Sequence, residues 1–248
     1  MGSRDCFVVW CGRLPYEAAL KLQMEICILK RAGFEKDVLL LLEHPPTITL
    51  GRNAKRDHLL VSEALLQFRG VGLYNVDRGG DVTFHGPGQL VGYPILHLLA
   101  GERDVHAYMR HLEESLIRLL AFYGIGGIRD SGLTGVWTPE GKIAAMGVHI
   151  SRWVTRHGFA LNVNTDLSFY NLIVPCGIVG KGVTSMQKQL LRALNLEEIA
   201  DRYIAEFGSV FKRRMIPMTA AVLRDELRRG DEKAGDVHEY SPPDIPVF

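Results

Sequence analysis

The chain has 248 residues and carries 29 Lys plus Arg against 28 Asp plus Glu, a formal net charge of +1. That length buries one sizeable core, and the near-zero charge removes the usual electrostatic case for nucleic acid or an anionic membrane surface as a partner. Its four cysteines, Cys6, Cys11, Cys27 and Cys176, show neither a C-x-x-C pair nor a metal-like Cys/His spacing, so neither a zinc site nor a disulfide framework is indicated. The opening stretch has too short an apolar run before Pro15 for a signal peptide, and no later run approaches the roughly 20 apolar residues of a membrane span. The expected location is the cytoplasm.

Phe7 to Trp10 has the length of a first strand. Pro15 suits the opening of a helix whose Ala19, Leu22, Ile26 and Leu29 share one face before Gly33 ends it. Val38 to Leu42 is a continuous apolar run, the pattern of a strand buried on both faces, and Pro45-Pro46 stops it before Thr47 to Leu50 begins another. Ser62 to Arg69 reads as a short helix, and Leu73 to Val76 as a strand that leads into Gly79-Gly80. Val82 to Phe84 and Leu90 to Leu96 flank Gly86-Pro87-Gly88. Asp104 is the N-cap of the clearest helix, with apolar residues at Val105, Met109, Leu112, Leu116, Leu119 and Tyr123 before Gly124. Strands follow around Val136-Trp137, Ile143 to His149 and Phe159 to Val163, then helices near Glu197 to Phe211 and Thr219 to Arg228. The expected fold is α+β, a mixed and mostly non-parallel sheet with flanking helices. Residues 1–229 are expected to form a single domain, and 230–248, polar and interrupted by Gly and Pro, a flexible tail.

Residues able to do chemistry gather between Lys142 and Cys176. In Pro175-Cys176-Gly177 the cysteine sits between a residue that restricts the chain and one that frees it, which presents the thiol on a turn. A free thiol with pKa about 8.5 is mostly protonated at neutral pH, and a nearby ammonium favours the thiolate. Lys142 is placed to supply that charge. It heads Ile143-Ala144-Ala145-Met146-Gly147, which reads as a buried strand, where desolvation eases proton loss and lets a lysine serve as acid and base. A cysteine and a lysine alone are weak grounds, since cysteine is among the most buried residue types.

Upstream, glycines and Pro87 surround His85 in Arg78-Gly79-Gly80-Asp81-Val82-Thr83-Phe84-His85-Gly86-Pro87-Gly88-Gln89, which lets backbone approach a ligand closely; a hairpin with Gly-rich ends has the same pattern. Gly147 and Gly158 lack a Cβ, which suits amides aimed at an oxyanion and equally suits close strand packing. The dinucleotide fingerprint fails because Arg129 stands where a third glycine belongs, and the P-loop fails because Gly182 stands where Ser or Thr belongs.

Taken in order, Glu43 to Gly51, Arg78 to Gln89, Gly135-Val136-Trp137, Lys142 to Gly147, His157-Gly158-Phe159-Ala160-Leu161-Asn162-Val163 and Pro175-Cys176-Gly177 resemble the octanoyltransferases of lipoate biosynthesis, the LipB family. The resemblance runs from Leu14 to Leu190, with Phe84 where the family more often has Tyr and Phe159 where it often has Leu. It implies a biotin/lipoate protein ligase-like catalytic domain. It also implies an acyltransferase that moves octanoyl from an acyl carrier protein to a lysine of lipoyl domains, those of 2-oxoacid dehydrogenase E2 subunits and of the glycine cleavage H protein. Cys176 would carry the acyl group as a thioester, with Lys142 as acid and base. The acyl pocket would be walled by Arg78, Gly79, Gly80, Asp81, Val82, Thr83, Phe84 and His85, by Ala145, Met146 and Gly147, and by Gly158, Phe159 and Ala160. No cofactor and no metal is implied. The alternatives are an ATP-dependent lipoate or biotin protein ligase on the same fold, which needs no nucleophile, and a non-catalytic module that binds lipoyl domains.

Overall fold

The structure, a computed structural model, describes residues 4–130, 132–174 and 182–234. Its centre is β2 (Asp37–Glu43), whose Val38 to Leu42 are fully buried. β1 (Arg4–Arg13) pairs with it in parallel. Alternate residues of the two strands feed opposite cores: Cys6, Val8, Leu39 and Leu41 enter one, while Phe7, Val9, Val38, Leu40 and Leu42 enter the other. A strand covered on both faces reads as an unbroken apolar run, which is why Leu39-Leu40-Leu41-Leu42 carries no polar alternation.

α1 (Tyr16–Arg31) covers one face, turning Ala19, Leu22, Ile26 and Leu29 inward. α6 (Ala220–Ala234) joins it through Leu223 and Leu227, and runs past Gly230 into the stretch expected as tail. On the other face lie α3 (Val105–Phe122) and α5 (Leu196–Phe211). Asp104 caps α3 by accepting from the Ala107 N–H at 3.0 Å. Tyr108 takes the buried place in the first turn of α3, and Val105, expected on the apolar face, is exposed.

The large sheet has the order β11-β1-β2-β6-β10-β9-β8-β7. Its remaining strands are β6 (Gln89–Ile95), β7 (Ile128–Asp130), β8 (Leu133–Thr138), β9 (Gly141–Ser151), β10 (Val154–Asn162) and β11 (Arg213–Pro217). From β2 through β6, β10, β9 and β8 to β7 the pairings are antiparallel, so the sheet is mixed and mostly non-parallel. A three-stranded sheet, β4-β3-β5, is built from β3 (Thr47–Leu50), β4 (Gly72–Asn75) and β5 (Val82–His85). The Gly79-Gly80 segment therefore does not turn a hairpin. It crosses from β4 to β5 with β3 between them. α2 (Glu63–Phe68), capped by Ser62, covers this small sheet. The short α4 (Met186–Leu190) lies between β10 and α5 in the chain.

Two strands, and the short helix α4, escaped the periodicity argument. β7 is three residues long, and β11 begins Arg213-Arg214, a charged start that no apolar pattern marks. β11 earns its place through charge: Arg213 donates to Asp37 at 2.9 Å, inside the sheet edge.

Candidate active site

β9 and β10 pair with Ala145 opposite Ala160 and Gly147 opposite Gly158. Directly opposed residues share a face of the sheet, so two rungs carry nothing larger than a methyl group and leave a trough. Backbone occupies part of it. A Cβ on Gly147 would lie 2.6 Å from the Gly79 carbonyl oxygen, and one on Gly158 would meet the Gly92 carbonyl oxygen. Close packing thus accounts for both glycines.

The small sheet roofs the trough, and Tyr16 and Tyr93 line it on the α1 side, leaving a narrow cleft of about 40 Å³. Arg78, Gly80, Asp81, Val82, Thr83 and His85 line this cleft from the roof; Ala145, Met146, Gly147, Gly158, Phe159 and Ala160 line it from the sheet. Three distant stretches of sequence therefore meet in one place. Alternation explains the exceptions. Phe84 points into the core beneath the small sheet, where it stacks on Phe169 at 4.8 Å, so Phe84 is not part of the cleft wall. Gly79 is not part of it either: its N–H donates to the Val148 carbonyl at 2.9 Å and pins the loop to β9.

Arg78 is buried and acts as the staple of that loop. Its guanidinium donates to the Thr49 carbonyl and the Asp81 carbonyl, each at 2.8 Å, and to the Gly79 carbonyl at 3.0 Å. Asp81 accepts from the Val82 N–H at 2.8 Å and pairs with His58. These bonds satisfy a glycine-rich loop that has no sheet partners of its own.

The α1 side of the cleft holds a buried cluster of imidazoles and phenols. His44 bridges the Leu14 carbonyl and the Tyr93 hydroxyl, each at 2.7 Å, and burial pushes its pKa down to about 4. His85 Nδ1 lies 3.0 Å from Gln89 Oε1. The Gln89 amide nitrogen donates to the Phe84 carbonyl and to Asn162, so Gln89 Oε1 accepts and His85 Nδ1 carries the proton. Burial holds His85 well below its ordinary pKa. Both rings are therefore neutral at pH 7, and the cleft presents a mainly uncharged lining beyond Arg78 and Asp81.

Lys142 is buried at the start of β9. Its N–H donates to the Gly182 carbonyl at 2.9 Å and its carbonyl accepts from the Thr184 N–H at 3.0 Å, so the chain resuming at Gly182 is stitched alongside it. The ammonium lies 5.1 Å from the centre of the Trp137 ring. A Cβ on Gly135 would fall 2.6 Å from Lys142 Cε, so Gly135-Val136-Trp137 both makes room for the lysine stem and gives its charge an aromatic face. Lys142 is not among the residues lining the cleft. Cys176, with Pro175 and Gly177, lies outside the described residues. The other cysteines are buried: burial raises Cys6 furthest, pushes Cys11 up to about 12 and pushes Cys27 up to about 11.

Sequence reasoning did not select Tyr16, Tyr93 or His157 as lining residues. The first two sit in apolar patterns that read as core. His157 stands immediately before Gly158 in a motif already singled out, and that adjacency was the available signal. Among the described residues no three His, Cys, Asp or Glu side chains are grouped to hold a metal ion, and no helix is long and apolar enough to cross a membrane.

A small-residue trough under a glycine-rich, arginine-stapled roof is suited to an acyl chain. The lipoyl protein ligase A/B catalytic domain matches residues 15–208. The octanoyltransferase of Solibacter usitatus is 50% identical over 214 residues, covering 86% of this chain and 96% of that protein. The octanoyltransferase of Chloroflexus aurantiacus is 52% identical over 211 residues, 84% and 95% of the two chains. Among solved structures, a putative lipoate protein ligase from T. acidophilum with bound lipoic acid superposes with a TM-score of 0.69 at 16% identity, over 94% of this chain and 96% of that one. Lipoate-protein ligase A bound with ATP gives 0.68 at 17%, with the same coverage. The structural likenesses establish a lipoate protein ligase fold. The chain belongs to the lipoyl protein ligase A/B catalytic-domain family and, within it, to the octanoyltransferases, which makes it an acyltransferase.

Proposed function

We propose that the chain transfers an octanoyl group from an octanoyl-acyl carrier protein to a lysine side chain of lipoyl domains, those of 2-oxoacid dehydrogenase E2 subunits and of the glycine cleavage H protein among them. The observation that carries this reading is the trough of Ala145, Gly147, Gly158 and Ala160 under the Arg78 loop, in a chain half identical to octanoyltransferases. A methylene chain is matched by a mainly apolar lining, at about 0.8 kcal/mol per buried CH₂.

In the proposed mechanism, the Cys176 thiolate attacks the carbonyl carbon of the donor thioester, and the carrier's sulfur departs with a proton from the Lys142 ammonium. Neutral Lys142 then takes a proton from the acceptor lysine's amine as it attacks the acyl-enzyme. The thioester becomes an amide and Cys176 is released as thiolate. Exchange of one thioester for another is near balance and amide formation is downhill, so no nucleotide is needed. A ligase reading requires an activated adenylate in place of Cys176. Identity of about 50% to octanoyltransferases, against 16–17% to the two ligases, favours transfer.

Intact-mass measurement tests the reading. With octanoyl carrier protein and no acceptor, the protein is expected to gain one octanoyl mass on Cys176, without nucleotide and reversibly by hydroxylamine. Turnover by Cys176→Ala at the normal rate would overturn it.

A further inference from the structure

Extended backbone sends alternate side chains to opposite faces. Phe159 puts its ring on the α5 face, 4.6 Å from Tyr203. His157 is two residues earlier on the same strand, and alternation would place its ring on that face too. Its φ is instead +56°, a left-handed value that a non-glycine residue adopts at a cost. The ring is turned to the cleft, edge-on to Tyr93 at 6.4 Å. The His157 N–H donates to Gln23 Oε1 at 2.8 Å, which holds the turned backbone to α1. Strain is thus sustained to aim one imidazole into the cleft.

That imidazole is 1% exposed, and its nitrogens differ. Nε2 lies 2.9 Å from Asp77 Oδ1; a carboxylate only accepts, so Nε2 carries the proton. Asp77 is itself held by Arg156 and His149, and Arg156 neutralises much of its charge. Nδ1 is left as a lone pair, with no hydrogen-bond partner among the described residues. Burial, then the Arg156 and Arg78 guanidiniums, brings the His157 pKa down to about 3, so the ring remains a neutral acceptor at working pH.

An octanoyl chain offers such an acceptor nothing. The position is informative: Val148, opposite His157, is six residues along β9 from Lys142, about 20 Å at roughly 3.4 Å per residue. Among the rungs that line the cleft this one is farthest along β9 from Lys142, so a chain lying along the trough with its carbonyl end toward Lys142 brings its last carbons toward His157. Resting on the reading of the cleft as the acyl site, we propose that its far end recognises a hydrogen-bond donor on the acyl group, so that the enzyme also transfers ω-hydroxyacyl chains, with His157 Nδ1 accepting from the terminal hydroxyl. Asp77 is the positioning residue that fixes the tautomer.

The test compares octanoyl-pantetheine with ω-hydroxyoctanoyl-pantetheine as donors to an apo lipoyl domain, using the full chain, His157→Phe and His157→Asn. Phe keeps a ring and removes the acceptor; Asn tolerates left-handed backbone and retains one. The expected kcat/KM for the hydroxy donor is within about 10-fold of that for octanoyl, the scale of a single hydrogen bond. His157→Phe is expected to lower kcat/KM for the hydroxy donor about 10-fold more than for octanoyl, and His157→Asn to restore the ratio of the two donors toward that of the unaltered chain. Nitrogen NMR of the imidazoles supplies a readout independent of turnover: ω-hydroxyoctanoate should move the His157 Nδ1 resonance and octanoate should not. An equal loss of both donors in His157→Phe, or an Nδ1 resonance unmoved by the hydroxy acid, overturns the proposal. Absence of transfer from either donor by the unaltered chain would count against the acyltransferase mechanism, and the NMR titration would still decide the site.

Discussion

Lys30 and Lys142 are both buried, at 3% and 7% exposure, and they are held in opposite ways. Lys30, in the last turn of α1, lies 2.9 Å from Asp37 Oδ1 and donates to the Lys36 carbonyl at 2.8 Å and the Phe34 carbonyl at 3.4 Å. Those partners use its three donors, and burial lowers its pKa against the pull of Asp37. Asp37 also receives Arg213 at 2.9 Å, Arg4 at 3.2 Å and the His97 N–H at 3.0 Å. The group bolts β1, β2, β11 and α1 together. Lys142 has its stem in the space beside Gly135 and its charge against the Trp137 ring. An aromatic face attracts a cation through its ring quadrupole. Burial is common to both lysines, so burial alone does not single out the one that the proposed mechanism uses.

The contrast breaks most visibly at Asp37. Asp37→Asn removes the one carboxylate among the described residues that pairs with Lys30, Arg4 and Arg213 alike; Glu102 still pairs with the two arginines, but buried Lys30 is left without a counter-charge, and the change is expected to cost about 3–5 kcal/mol in a denaturant titration. Octanoyl transfer by the fraction still folded should be unaltered, because the cluster is not part of the cleft. Selective loss of turnover at full stability would show that the two regions are coupled.

Lys142→Arg tests the other lysine. Arginine keeps a positive charge but does not give up a proton at neutral pH. Transfer is expected to slow on the order of 100-fold, the scale of a lost acid or base, while Cys176 is expected still to alkylate faster than in Lys142→Ala. Lys142→Ala should lose both. Full activity in Lys142→Arg would reduce the lysine to an electrostatic role.

This contrast also shows what the sequence could and could not disclose. Both lysines are single letters in apolar surroundings. Only the motif around Lys142 set it apart, whereas the cluster that holds Lys30 joins Arg4, Asp37 and Arg213, positions that spacing along the chain does not connect. The same limit applies in the cleft. The segments 145–147 and 158–160, each with an alanine at one end and a glycine at the other, were legible because they are local, and β2 was legible because five apolar residues in succession require cover on both faces. Tyr16 and Tyr93 were not legible, because a tyrosine in a helix or strand pattern reads as core until the strand register places Tyr93 beside Gly158 and the packing of α1 brings Tyr16 to the same cleft. Phe84 was assigned to the wall by its motif, and strand alternation turns it away.

Acid sharpens the distinction between the neutral, buried imidazoles of the cleft and the charged cluster. His44 and His157 have folded pKa values of about 4 and about 3, and His85 lies well below its ordinary value, each through burial first. An unfolded histidine titrates near 6.5, so below that pH the unfolded chain takes up protons that the folded chain refuses. The stability these groups contribute is complete above about pH 6.5 and is lost as pH falls toward their folded values. At pH 5 the loss is about 2 kcal/mol for each of His44 and His157, visible as a falling Tm between pH 7 and 5. His44→Gln should flatten part of that slope. A Tm independent of pH across this window would mean that these rings are protonated in the folded protein.

The smallest expected effect concerns Lys30 itself. Lys30→Met keeps the length of the stem and removes the charge, but Asp37 retains Arg213, Arg4 and the His97 N–H, so the carboxylate stays compensated. The Lys36 and Phe34 carbonyls lose a donor at the end of α1, where water reaches them, since both residues are partly exposed. The expected destabilisation is about 1 kcal/mol, the net worth of a hydrogen bond, with octanoyl transfer unchanged. The asymmetry between the two partners is the point of the measurement. If Lys30→Met costs as much as Asp37→Asn, the cluster is one indivisible unit in which three cations are needed to hold one carboxylate. If it costs far less, Lys30 is a replaceable member of a redundant set, which Lys142, as sole acid and base of the proposed mechanism, is not.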